Sequence, residues 1–141
     1  MLKEIFEGPE TLENAIRGRI DRDGNVKLGG LENVTDQMKQ ISRVVITACG
    51  TSYYAGLIGK YYLETFAHIP TTVEYASEFR YANPPLDAHT AVICISQSGE
   101  TADTMAAVRE IKARGAKILA ICNVQGSTLS READNCLFLH A

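Results

Sequence analysis

Apolar residues change their spacing along this chain near position 43. Before it they recur at helical intervals among charged residues, so a helix is expected over 9–20 and a second over 31–41, where Leu31, Val34, Met38 and Ile41 share a face. Between these helices, Asp21-Arg22-Asp23-Gly24-Asn25 and Gly29-Gly30 read as turns. From Arg43 onward, short β-branched runs alternate with helical stretches, the pattern of a parallel sheet with helices on its faces. Five strands are expected, at 44–48, 71–75, 91–95, 117–122 and 136–139. A helix over 52–67 carries Leu57, Tyr61, Leu63 and Phe66 and stops at His68-Ile69-Pro70. Another over 101–114 carries Met105, Val108 and Ile111 and is closed by Gly115, the residue type favoured just past a helix end. The expected division is a helical lead-in, 1–41, and an α/β domain, 42–141. A chain stopping directly after a strand further suggests a piece excised from a longer α/β protein.

Composition narrows the class of partner. The 141 residues, 45% hydrophobic and 22% charged, can form one core. The 14 basic and 17 acidic residues are well mixed, so neither nucleic acid nor an anionic membrane surface is an expected partner. No apolar run approaches the roughly 20 residues of a membrane helix, and the start Met1-Leu2-Lys3-Glu4 is not a signal peptide. Cys49, Cys94, Cys122 and Cys136 lie in or beside apolar runs without CxxC spacing, the pattern of reduced, buried thiols in a cytoplasmic protein.

Ligands of open α/β sheets bind beyond the carboxyl ends of the strands. Three loops there combine glycine with hydroxyls: Cys49-Gly50-Thr51-Ser52, Ser96-Gln97-Ser98-Gly99-Glu100-Thr101, and Asn123-Val124-Gln125-Gly126-Ser127-Thr128. Glycine lets the backbone approach an anion, and the N–H groups at a helix start favour a phosphate without any cationic side chain. The same residue types also cap ordinary helices. Capping is the better reading of 123–128, both readings stay open for 49–52, and the hydroxyl density of Ser96, Ser98 and Thr101 favours a ligand at 96–101. Gln97 could face that ligand or satisfy loop backbone.

Other chemistries lack their residues. Gly50-Thr51-Ser52 has no second glycine for a dinucleotide site, which leaves Glu74 near the end of the second strand as coincidence, and no loop has a P-loop lysine. Neither a serine-hydrolase elbow nor a cysteine-phosphatase loop is present. His68, His89 and His140 have no metal-ligand spacing and read as surface or structural residues, so no metal is expected. Glu78 and Arg80 read as a solvated helix start.

Ala48-Cys49-Gly50-Thr51-Ser52-Tyr53, Tyr75-Ala76-Ser77-Glu78-Phe79-Arg80-Tyr81, Ser96-Gln97-Ser98-Gly99-Glu100-Thr101-Ala102-Asp103-Thr104 and Ile121-Cys122-Asn123-Val124 together resemble the sugar isomerase (SIS) family. Within it, the lead-in segments Arg17-Gly18-Arg19-Ile20 and Leu28-Gly29-Gly30-Leu31 are similar to those of glutamine–fructose-6-phosphate aminotransferases, in the first SIS half of the isomerase part. The resemblance implies a three-layer α/β/α sandwich with a flavodoxin-like, five-stranded parallel sheet, and a sugar phosphate held by Thr51, Ser52, Ser96, Gln97, Ser98 and Thr101. It implies a homodimer and no cofactor. The family's general-base glutamate, ring-opening histidine and Schiff-base lysine match no position here, so no residue is assigned a catalytic role and binding without turnover is expected. A sugar-phosphate-sensing SIS domain of a regulator and a stand-alone aldose-ketose phosphate isomerase are the rival expectations. The second would have only Glu78, Glu100 and the histidines as acid or base.

Overall fold

A computed structural model describes residues 2–31 and 34–141. Five strands, β1 (Arg43–Ala48), β2 (Thr71–Tyr75), β3 (Thr90–Ser96), β4 (Lys117–Cys122) and β5 (Asn135–Phe138), pair in parallel in the order β2-β1-β3-β4-β5. This is the flavodoxin-like order. Side chains stiff at χ1 suit a pleated, buried surface, and the β-branched runs form the strands within one residue of the expected ends.

Successive strand residues face opposite sides of the sheet. Val45, Val92, Cys94, Ile118, Ala120 and Cys122 form one core with α5 (Ala102–Ala113), through Met105, Ala107, Val108 and Ile111. Phe79 of α4 (Phe79–Ala82) and Leu129 of α6 (Thr128–Glu132) complete that core. Ile46 and Val73, on the opposite face, lie under α3 (Gly50–Phe66). The result is three layers, with α3 and α5 on opposite sides of the sheet.

The face that α3 buries differs from the expected one. Leu57, Tyr61 and Phe66 are exposed, at 39%, 60% and 74%, while Gly56 is the buried residue of the helix. A Cβ on Gly56 would sit 3.0 Å from Ile46 Cγ2 and 3.1 Å from Val73 Cγ1, so the helix approaches the sheet along its glycines and turns its bulky side chains outward.

The lead-in also departs from expectation. α1 spans Leu2–Ile16 and contains Pro9, instead of starting there and reaching residue 20. Leu2, Ile5, Leu12 and Ile16 keep helical spacing across the proline, although Pro9 forgoes one helix hydrogen bond and its ring crowds the preceding turn. Of the expected helix at 31–41, α2 covers Thr35–Met38, and residues 32 and 33 lie outside the described residues. After α1 the chain turns on Asp21, whose carboxylate accepts from the N–H groups of Asp23 and Asn25, both at 2.9 Å. It then runs beside β5. Gly30 (φ +94°) lies so close that a Cβ would be 2.7 Å from the Cys136 carbonyl oxygen, Asn135 Nδ2 donates to the Gly30 carbonyl at 3.1 Å, and Arg19 donates to the Phe138 carbonyl.

Candidate functional site

β1 and β3 are neighbours in register, Ala48 opposite Ile95, yet their crossovers leave on opposite faces of the sheet, α3 toward β2 and α5 toward β4. Such a divergence opens a crevice at the carboxyl edge, where α/β sheets bind ligands. The loops 49–52 and 96–101 both emerge at this crevice. Thr51 and Ser52 lie in the first turn of α3, exposed and half-buried respectively. Ser96 is buried at the end of β3, Ser98 and Thr101 are half-buried, and Gln97 is exposed.

Within the second loop, Ser96 Oγ and Thr101 Oγ1 are 3.1 Å apart. Ser96 Oγ also accepts from the Gly99 N–H at 3.1 Å, and Ser98 Oγ accepts from the Glu100 N–H at 3.2 Å. Ser98 therefore uses a lone pair to shape the loop and keeps its O–H donor for an incoming anion, while of Ser96 and Thr101 one donates its proton to the other and one O–H remains. Gly99 adopts φ +66°, a conformation that costs other residues roughly 1–2 kcal/mol.

The helix starts separate binding from capping. Thr101 is the N-cap of α5 but makes no side-chain cap bond, and Cys49 makes none at α3. The first-turn N–H groups of both helices are thus left for another acceptor. At α6 the N-cap Ser127 does accept from the Ser130 N–H, in agreement with the capping reading of 123–128.

One acidic group belongs to the loop. Glu100 turns its carboxylate onto the Thr128 N–H at 2.6 Å, and this bond, with the Arg131 charge nearby, holds it below the usual carboxylate range. It was not legible as a partner of Thr128, because the two are 28 residues apart and share no pattern.

The remaining candidates lie elsewhere. Cys94 and Cys122 are buried, whereas Cys49 and Cys136 are only half-buried, correcting the expectation for those two; all four thiols are free. Burial pushes the Cys94 thiol up to about 12, so it supplies no thiolate. His89 Nδ1 lies 3.1 Å from the Gln40 carbonyl oxygen, while His68 and His140 are exposed. Among the described residues no group of three His, Cys, Asp or Glu side chains is placed to hold a metal, and no helix is long and apolar enough to cross a membrane. The crevice loops offer hydroxyls and backbone donors, which can bind and orient an anion, and Glu100 as their one ionisable carboxylate.

Residues 37–141 match the model of the SIS domain. The whole chain is 54% identical over 142 residues to the glutamine–fructose-6-phosphate aminotransferase (isomerizing) of Chlorobaculum tepidum and 51% identical over 141 residues to that of Clostridium tetani; it spans 23% of the length of each. Among solved structures, the C-terminal domain of glucosamine-fructose-6-phosphate aminotransferase from Francisella tularensis superposes with a TM-score of 0.89 at 39% identity, over 99% of this chain and 39% of that one.

Proposed function

Because this chain belongs to the SIS domain family, we propose that it binds the phosphate of a hexose phosphate at the β1–β3 crevice, as the first SIS half of a glutamine–fructose-6-phosphate aminotransferase. The observation that carries this reading is the start of α5, where Thr101 leaves the helix N–H groups without a side-chain cap while Ser96 and Thr101 turn their hydroxyls toward each other. An anion at that point would accept from backbone N–H groups aligned with the helix dipole, from the Ser98 hydroxyl, and from whichever of Ser96 and Thr101 does not donate to the other. Thr51 and Ser52, from the neighbouring strand end, and Gln97 would contact the sugar.

In this reading residues 1–41 are a lead-in and 42–141 the SIS unit. The parent transfers glutamine-derived ammonia to fructose 6-phosphate and isomerises the product to glucosamine 6-phosphate, as a cytoplasmic homodimer with a separate glutamine amidotransferase unit. This chain contributes binding and orientation; acid–base chemistry and the amine nucleophile come from outside it. A stand-alone isomerase is disfavoured, since Glu100, the carboxylate of the loop, is committed to Thr128.

The test is a titration of the chain with glucosamine 6-phosphate, glucosamine and inorganic phosphate, followed by amide shifts. The two phosphorylated species should move the amides of Ser96 to Thr101 and glucosamine alone should not. Unmoved amides with all three would remove the site assignment. For the dimer, sedimentation showing only monomer at high concentration would decide against it.

A further inference from the structure

The loop proposed to hold phosphate does not stand by itself. Three hydrogen bonds join it to the segment that follows β4. The Asn123 N–H donates to the Gln97 carbonyl at 3.1 Å, the Leu129 N–H donates to the Gly99 carbonyl at 3.0 Å, and the Thr128 N–H donates to Glu100 Oε1 at 2.6 Å. Gly99 is pressed against the same segment, since a Cβ there would lie 2.2 Å from Ser127 Oγ. Two of the three bonds are between backbone groups. Only the third depends on a side chain.

We infer that Glu100 is a positioning residue, whose carboxylate latches the 96–101 loop to the start of α6 and so fixes the geometry in which its donors meet a phosphate. The inference rests on the reading of 96–101 as the phosphate site. Its chemistry is specific. Thr128 is the first residue of α6, and its N–H has no acceptor inside the helix. A carboxylate is the acceptor that bonds such a group most strongly. The latch also turns a negative charge away from the place where a dianion would bind, toward Arg131.

Charge and position pull in opposite directions here, which makes the latch testable. If Glu100 acted only as a negative charge near the site, removing it would tighten phosphate binding. If it positions the loop, Glu100→Ala weakens binding, and Glu100→Gln, which keeps an acceptor oxygen without the charge, binds as well as the wild type or better.

The experiment measures inorganic phosphate affinity of the chain by amide shifts, together with amide exchange at Gly99 and Leu129 in the absence of ligand. Glu100→Ala should bind phosphate roughly three- to tenfold more weakly, the range expected for one net hydrogen bond. It should also exchange faster at both amides, with Glu100→Gln restoring both readouts. Thr128→Pro is the second route, because it deletes the donor at a position where proline suits a helix. Ser127, at φ −62° and ψ 160°, already has the backbone that a following proline requires. It should reproduce the alanine variant, and it carries the test should Glu100→Ala not fold. Unchanged or tighter binding in the alanine variant, or unchanged exchange, overturns the latch. A wild-type chain whose 96–101 amides ignore phosphate instead removes the site reading, and the exchange data still decide on the latch.

Discussion

Two helices begin at the carboxyl edge within 27 residues of each other, and their starts are built in opposite ways. At α6 the N-cap Ser127 is buried, its hydroxyl accepts from the Ser130 N–H, and Glu100 takes the Thr128 N–H, so donors are satisfied from within the protein. At α5 the N-cap Thr101 has the same kind of side chain but points it at Ser96, and the first-turn donors receive no side-chain cap. A serine or threonine before a helix is therefore ambiguous until its acceptor is known. A closed start stabilises the fold, whereas an open one keeps donors available for a ligand at some cost in stability.

The largest test of this contrast is Gly99→Ala. The substitution puts a β-carbon at φ +66° and against Ser127, and it should cost about 2–4 kcal/mol of stability, read from the urea midpoint, with loss of the phosphate-induced shifts. A variant of wild-type stability would mean that the two loops are not in contact. Next in size is Ser127→Ala, expected to lose about 1 kcal/mol through the missing cap. Thr101→Ala should change stability by less than about 0.5 kcal/mol and weaken phosphate roughly three- to tenfold. Equal stability losses in the two variants would erase the distinction between open and closed starts. The smallest effect concerns pH. The Glu100 carboxyl is depressed in the folded chain, so its contribution is fully present above the unfolded value of about 4.3 and is lost as pH falls through the lower folded value. A carbon-13 titration of Glu100 should show a midpoint below that of a free glutamate, and Thr128→Pro should move it back up. A midpoint unaffected by the proline would mean that the Thr128 N–H is not what depresses it.

Much of the fold was legible because its signal is local. The β-branched runs and the glycine after α5 place the strands and that helix end within a residue, and the alternation of elements implies the parallel sheet. The face of α3 was misread for a physical reason. Periodicity finds apolar residues, but Gly56 reaches the sheet by having no side chain, and no hydrophobicity pattern marks it. The short helices α4 and α6 contain too few residues to display a period. At the candidate site, the hydroxyl-rich loop stood out by composition. Its attachment to α6 did not, because Glu100 and Thr128 meet only through the packing of two separate crossovers.

The lead-in along β5 bears on how the chain comes to be folded. β5 is an edge strand, and an unpaired edge invites pairing with another chain. Arg19 and Gly30 occupy polar groups on this edge from 119 and 105 residues away in sequence. During synthesis these contacts cannot form until β5 itself has left the ribosome. Closing so long a loop carries an entropic cost that local contacts do not. The clasp should therefore form late, with Gly30→Val speeding unfolding and leaving the folding rate nearly unchanged. Until it closes, the β5 edge stays open to other chains, and a segment made before the sheet finds its place only after it.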